Sequence, residues 1–147
     1  MKFSEAKIKK VFILRLHDRE KLPDVIEEFA LKHKIRCALC FMLGGTGGGR
    51  LVVGPEKDNV SPINPILQTI SGTSEILGIG TIFPDENKKP RLHMHAATGR
   101  KKNTLVGCIR PGINVWKIVE FIIIEITGTK SRRKLDSDAG FSVLEPE

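Results

Sequence analysis

The chain has 147 residues, of which 40% are hydrophobic. It is long enough for one folded domain and too short for two domains of ordinary size. Its formal charge of +7 permits an anionic partner but does not require one. It has no Tyr, one Trp and seven Phe, and so few aromatics argue against binding of single-stranded nucleic acid by base stacking.

The location of the protein is suggested by what its sequence lacks. The first ten residues are too charged for a secretory leader, and apolar runs such as 121–124 are far shorter than the ~20 residues that a membrane span requires. Three cysteines, an odd number, fit free thiols in a reducing compartment. We therefore expect a cytoplasmic protein.

The first third of the chain predicts a strand over 7–16, an amphipathic helix and a buried strand over 35–43. Asp18 is a candidate cap for a helix that begins near residue 19, has Pro23 near its first turn and ends near His33. Cys37 and Cys40 lie three apart on the buried strand and should face opposite ways. We interpret both as core cysteines rather than a redox or zinc pair.

The glycine-rich segment 44–49 invites comparison with phosphate-binding loops. It lacks the Gly-Lys-Ser/Thr ending of a Walker loop, and a strand rather than a helix follows it. We predict a mobile turn or a bulge between strands.

The rest of the chain predicts mainly strands. The predicted strands are 65–71, 74–83, 113–127 and 140–144, with a loop at 54–65, a polar turn at 84–90 and an exposed basic connection at 130–138. Segment 121–124 is apolar on both faces, so we expect both faces to be packed. One would contact the core of the domain, and the other would contact the helix or another subunit. The predicted fold is α+β: a single domain over 1–147, with an ordered core at about 7–144 and a mainly antiparallel sheet of about seven strands packed with one main helix.

Segment 90–112 predicts a β-hairpin with arms 91–98 and 104–110 and a turn at 99–103. His93 and His95 are two apart and share a strand face. If Thr98 pairs with Asn103, His93 lies opposite Cys108, and two imidazoles and a thiol converge, as a zinc-like ion requires. A register slip of one residue would turn Cys108 to the other face. The alternative is a buried thiol beside histidines that bind no metal.

Four segments in order resemble the plant and prokaryote conserved (PPC) domain: RLHDREKLPDVIEEFALKHKIRCALCFMLGGTGGGRLVV, GTSEILGIGTIFPD, RLHMHAATGRKKNTLVGC and RRKLDSDAGFSVL. The resemblance implies a sheet flanked by a helix, a homotrimer in prokaryotic members, and a metal-associated histidine cluster at a cleft between subunits. Family members carry a third histidine where this chain has Cys108, a replacement of nitrogen by sulfur that keeps a zinc ligand.

DNA binding is the role usually given to this family. Plant members carry an AT-hook before the domain, and this sequence contains no Arg-Gly-Arg-Pro hook. Arg100, Lys101 and Lys102 in the predicted hairpin turn could contact phosphates without reading sequence.

Three hypotheses for function follow from these observations. The first is a trimeric, metal-binding PPC protein with a DNA-associated regulatory role. The second is a metal-dependent enzyme or small-molecule-binding protein in which His93, His95 and Cys108 hold the ion, with Glu75 or Glu120 as a guess for the general base. The third is a structural trimerisation module.

Overall fold

The structure is a computed structural model that describes residues 1–58, 60 and 62–147, and these form ten β-strands and one α-helix. In chain order the elements are β1 (Lys7–His17), β2 (Lys21–Leu22), α1 (Asp24–Lys32), β3 (Cys37–Pro55), β4 (Pro65–Ile70), β5 (Ser74–Pro84), β6 (Pro90–Arg100), β7 (Asn103–Cys108), β8 (Ile113–Thr127), β9 (Arg132–Asp136) and β10 (Phe141–Glu145). The predicted α+β class is confirmed, with more strands than the expected seven. In the described part of the chain, no helix has the length and apolar character needed to cross a membrane.

An antiparallel sheet of eight strands forms the body of the molecule. Its main strand order is β1-β8-β3-β5-β6-β7, with β2 paired to β8 and β4 paired to β3, while β9 and β10 form a separate two-stranded sheet. Residues that lie opposite each other in antiparallel strands project to the same face. We call the face that packs against α1 the inner face and the opposite one the outer face.

The core lies between α1 and the inner face. Ile26 and Ala30, one helical turn apart, are both fully buried. They belong to the same apolar cluster as Met94 on β6 and Phe121 and Ile123 on β8. The helix is therefore held by the burial of its apolar stripe, which fixes the inner face of the sheet and leaves the outer face without a helix.

The start of the helix differs from the prediction. Helix α1 begins at Asp24, after Pro23, because Leu22 instead pairs with Ile113 in the sheet. Asp18 does not cap the helix, since its carboxylate accepts a hydrogen bond from the backbone N–H of Lys117 at 2.7 Å. Sheet pairing has thus taken the residues that helical spacing had assigned to a first turn. The predicted end is confirmed, with His33 as the C-cap.

The glycine-rich segment 44–49 lies inside the long strand β3, so the predicted turn is wrong and the alternative of a bulge is right. Its pairing with β8 shifts register between Gly44 and Thr46 and again between Thr46 and Gly48. Gly44 has a φ of +147°, and a Cβ there would meet the backbone carbonyl oxygen of Ile118. Glycine is required at this point because the neighbouring strand passes too close for a side chain.

Cys37 and Cys40 are core cysteines, as predicted. Both are buried, and their different parity along β3 sends them to opposite faces of the sheet. Burial raises the pKa of Cys40 to about 12, so this thiol stays protonated at neutral pH. The thiol of Cys37 lies under the segment before β9, 3.9 Å from the carbonyl oxygen of Ser131.

The predicted exposed connection at 130–138 is wrong in part, because residues 132–136 form β9. Arg133 points inward from this strand and is only 6% exposed, whereas Arg132 and Lys134 are exposed. A strand of five residues with three cations has no apolar pattern by which sequence could reveal it. Its position is set by pairing with β10 and by contact with β5.

Substitution of Gly107 tests the packing that positions β7, the second strand of the β6–β7 hairpin. A Cβ at Gly107 would collide with the carbonyl oxygen of Val52 and lie 3.1 Å from the Cβ of Leu51, whereas a Cβ at Gly99 would have open space. We expect Gly107→Ala to lower the free energy of unfolding by about 1–3 kcal/mol, because overpacking forces the backbone apart. Gly99→Ala should change it by less than about 0.5 kcal/mol. Urea titration measures both, and equal effects would contradict this packing.

Candidate metal centre

The β6–β7 hairpin has a register that differs by two residues from the predicted one. Arg100 pairs with Asn103 and His95 with Cys108, so the turn is only Lys101 and Lys102. Sequence placed Gly99 in the turn because glycine is a common turn residue, but Gly99 is paired with Thr104. The predicted pairs Thr98–Asn103 and His93–Cys108 are therefore wrong.

The error does not change which side chains share a face. A shift of two residues restores the same alternation, so His93, His95 and Cys108 all project from the outer face. The ligand atoms of the three side chains lie within 4.8 Å of one another, and the two Nε2 atoms are 3.3 Å apart. The hairpin therefore brings together the three residues that sequence selected.

Neighbouring elements fix the strand that carries the two histidines. On β5, Thr81 lies opposite His93. At the start of β6, the carboxylate of Glu27 on α1 accepts a hydrogen bond from the backbone N–H of Leu92 at 2.9 Å. The same carboxylate forms an ion pair with the guanidinium of Arg91 at 3.1 Å. The helix is thus attached to β6 by polar contacts as well as by apolar packing, and this limits the movement of the strand that carries His93 and His95.

The three candidate ligands have different environments. Cys108 is buried, His93 is half-buried and His95 is exposed. Burial is the main cause that lowers the pKa of His93 to about 4, and the positive charges of Arg133 and Arg110 lower it further. His93 is therefore neutral at physiological pH and has a lone pair available for a metal without first losing a proton.

The geometry fits a tetrahedral metal with an open position. With metal–nitrogen bonds of about 2.0–2.1 Å and metal–sulfur bonds of about 2.3 Å, neighbouring ligand atoms of a tetrahedral zinc lie about 3.3–3.6 Å apart. The two imidazole nitrogens already have that separation, at 3.3 Å. Within the described residues, the group contains no carboxylate, so the fourth position would fall to water or to a ligand.

Arg133 is the residue near the cluster that sequence analysis missed. Its Nη2 donates a hydrogen bond to the hydroxyl of Thr81 at 3.0 Å, which places the guanidinium on the outer face beside His93. Its positive charge acts on His93, as does that of Arg110. The sequence RRKLD reads as surface charge, and no local pattern distinguishes Arg133 from Arg132.

The two carboxylates guessed as a general base lie outside the cluster. Glu75 is opposite Gly99, four residues along β5 from the Ile79–His95 pair and hence about 13 Å away along the strand. Glu120 lies on β8, separated from β6 by β3 and β5. Neither position gives a carboxylate direct contact with the imidazoles.

The predicted cationic turn lies at the far end of the same hairpin. Arg100 is tied to the loop before β5, because its Nη1 donates to the carbonyl oxygen of Thr73 at 2.6 Å. Lys101 and Lys102 are exposed. Beside the turn is a cavity of about 560 Å³ whose lining includes Arg100, Lys102 and several hydroxyl side chains, among them Thr69, Ser71, Ser74, Thr98 and Thr104.

These features define a class: an α+β domain with a helix on one face of its sheet and a His-His-Cys cluster on the other. The sequence pattern of the Plants and Prokaryotes Conserved (PCC) domain matches residues 3–127. The chain belongs to this family, as its sequence motifs indicated.

Several solved structures share this fold. The chain is similar to a metal-containing protein from Archaeoglobus fulgidus, with a TM-score of 0.86 and 20% identity over 99% of each chain. It is also similar to a plant- and prokaryote-conserved protein from Pyrococcus horikoshii, with a TM-score of 0.84 and 19% identity over 99% of this chain and 97% of that one. A third is a Bacteroides thetaiotaomicron protein named "putative dna binding protein", with a TM-score of 0.78 and 18% identity over 95% and 96%. No curated protein matches the chain.

The low pKa of His93 predicts acid sensitivity in the metal-free protein. Unfolding restores the usual pKa of about 6.5, so between pH 6.5 and about 4 the unfolded state binds one more proton than the folded state. Stability should therefore fall as the pH falls through this window. The melting temperature measured in chelator from pH 7.5 to 4 should decline less steeply for His93→Gln than for the unchanged protein.

His17 provides the matched control for this measurement. It is exposed on β1 and outside the cluster, so His17→Gln should leave the steep decline in place. If His93→Gln and the unchanged protein declined with the same slope, the lowered pKa would be refuted.

Proposed function

We propose that this protein is a homotrimeric, cytoplasmic PCC-domain protein that binds zinc or a similar divalent transition metal through His93, His95 and Cys108 and associates with DNA through its hairpin turns. The observation that carries the metal proposal is the convergence of three ligand atoms within 4.8 Å. Two imidazoles and one thiolate with an open fourth position form a donor set that suits zinc. The metal-containing relative from Archaeoglobus fulgidus has the same fold, which is consistent with this proposal.

The outer face supports the proposal of self-association. Many of its apolar side chains are exposed, including Ile13, Leu43, Leu77, Ile79 and Val106. Their positions on β1, β3, β5 and β7 form an apolar surface that a second copy of the chain would cover. This surface adjoins the metal ligands, since Ile79 lies opposite His95. A cluster at the edge of a subunit contact is also what resemblance to the family implies.

The proposed DNA contact rests on charge at the hairpin turn. Lys101 and Lys102 are exposed, and Arg100 is anchored beside a cavity rich in hydroxyl groups. Cations and hydroxyls bind phosphate oxygens and give affinity without sequence preference. A two-residue turn offers no helix or ribbon to enter the major groove, so we propose backbone binding rather than base readout.

A second candidate function is a metal-dependent enzyme or small-molecule-binding protein that uses the same cleft. The observation that favours it is the pair of arginine charges beside His93. A structural metal site would not need them, whereas a site that binds an anionic ligand would.

Metal content tests the proposed centre. Purified protein should contain about one zinc per chain by mass spectrometry, and cobalt-substituted protein should show a thiolate-to-metal charge-transfer band. Cys108→Ala should lose that band and weaken metal affinity at least about tenfold, because a ligand is removed. Cys37→Ala removes a buried thiol outside the cluster, so this variant should retain the charge-transfer band and the metal affinity. Retention of the band in Cys108→Ala would show that this thiol is not a ligand.

Sedimentation equilibrium tests the trimer. The expected mass is three times the chain mass of 16.3 kDa. Leu77→Glu, on the outer face, should produce monomers, because it places a charge in the proposed contact. Leu31→Glu is a matched control, since Leu31 has a similar exposure of 63% but lies on the helix. A monomeric unchanged protein would contradict the proposal.

Salt titration tests DNA binding. The logarithm of the binding constant for duplex DNA should fall linearly with the logarithm of salt concentration. Lys101→Gln/Lys102→Gln should make the slope shallower by up to about 2 for one hairpin turn, because each phosphate contact contributes about 0.9. Lys21→Gln/Lys32→Gln changes the charge equally, near the helix, and should leave the slope unchanged. Absence of affinity at low salt would eliminate this function.

A further inference from the structure

Arg133 is a buried cation with an incomplete set of partners. Its side chain lies under the surface, with 6% exposure, and Nη2 donates one hydrogen bond, to the hydroxyl of Thr81. Its Nε is fully covered and has no hydrogen-bond partner among the described residues. A buried guanidinium normally has its donors satisfied, because leaving one unpaired costs the desolvation energy of that group.

The charge of Arg133 is also uncompensated within the described part of the chain. It forms no ion pair with any carboxylate there, whereas the buried Glu125 is paired with Lys9 at 2.8 Å and the neighbouring Arg132 with Glu147 at 3.1 Å. Burial lowers the pKa of Arg133, the positive charge of a second cation, Arg110, lowers it further, and the negative charge of an ionised Cys108 acts in the opposite direction. The thiolate of Cys108 would be taken up as a metal ligand, so these two like charges remain unfavourable unless a bound group supplies the opposite charge.

This positive region faces the proposed metal centre. Thr81, which holds Arg133, lies directly opposite His93. Arg110 follows Cys108 by two residues. A divalent ion with one thiolate ligand would still carry net positive charge, so the metal would increase the demand for an anion rather than satisfy it.

We propose that the His93–His95–Cys108 centre binds a small-molecule oxyanion, a carboxylate or phosphate group, with Arg133 as the residue that recognises its charge. This inference rests in part on the proposed metal, which would offer its open fourth position to one oxygen of the ligand. The planar guanidinium matches both carboxylate and phosphate geometry. Because Arg133 is recessed, a polymer backbone such as that of DNA is a poor fit, and the ligand is a small molecule.

Calorimetry with two probes tests the proposal. Inorganic phosphate and succinate are titrated separately into zinc-loaded and into chelator-treated protein, in a buffer without other oxyanions. At least one probe should bind zinc-loaded protein, and the stronger probe identifies the group preferred. Arg133→Gln should weaken binding of that probe at least tenfold. Arg133→Lys keeps the positive charge but lacks the planar guanidinium, so it should weaken binding to a lesser degree.

Matched variants separate recognition from general charge. Arg132→Gln makes the same substitution one residue away on an exposed side chain and should change affinity less than twofold. Arg110→Gln alters an exposed residue, so folding should be unaffected, and it should weaken binding severalfold. Zinc content and melting temperature are measured on every variant, and Arg133→Gln should retain zinc because Arg133 is not a ligand.

The outcomes distinguish this proposal from the metal proposal. If neither probe binds either form of the protein, or if Arg132→Gln weakens binding as much as Arg133→Gln, the inference is overturned whatever the zinc content. If the protein holds no zinc but an oxyanion binds and requires Arg133, the metal proposal fails and the anion site stands. Binding that requires both Arg133 and zinc supports both proposals.

Discussion

The alternation of side chains across the paired strands β5, β6 and β7 is the constraint on which the rest of this structure depends. Antiparallel pairing places Thr81, His93, His95 and Cys108 on one face, because directly opposed residues project together. The inner face is committed to packing against α1, so every alternate residue must point outward. The same alternation that buries the core therefore delivers the two imidazoles and the thiol to a common position.

The outer face combines features that are costly to an isolated subunit. It exposes apolar side chains such as Leu77 and Ile79, and next to them it holds the buried Arg133, which forms no ion pair with a carboxylate of the described residues. Each is unfavourable for a free monomer, since exposed apolar patches associate and unpaired buried cations are desolvated. A covering subunit, a metal and an anionic ligand would relieve these costs, and all three would act within one region of the fold.

The differences between sequence and structure have a common origin. The hairpin turn was misplaced because Gly99 looks like a turn residue, whereas its pairing with Thr104 keeps it in the strand. A helix start near residue 19 was predicted because Asp18 is a candidate cap, whereas Leu22 pairs with Ile113 in the sheet and the helix begins at Asp24. The pattern of the glycine-rich run 44–49 allowed a turn or a bulge, and close approach of β8 selects the bulge, because it requires glycine within a continuous strand. In each case long-range pairing decided between states that local pattern leaves open.

Sequence by itself determined the α+β class, the course of the strand Ile113–Thr127, the burial of Cys37 and Cys40, and the choice of His93, His95 and Cys108. These follow from hydrophobic pattern and from the two-residue period of a strand, which survives a register shift of two. Only the tertiary structure decided that Arg133 lies beside His93. The reason is physical: β9 reaches β5 through pairing with β10 and contact across the sheet, and nothing in its five residues, four of them charged, encodes that long-range contact.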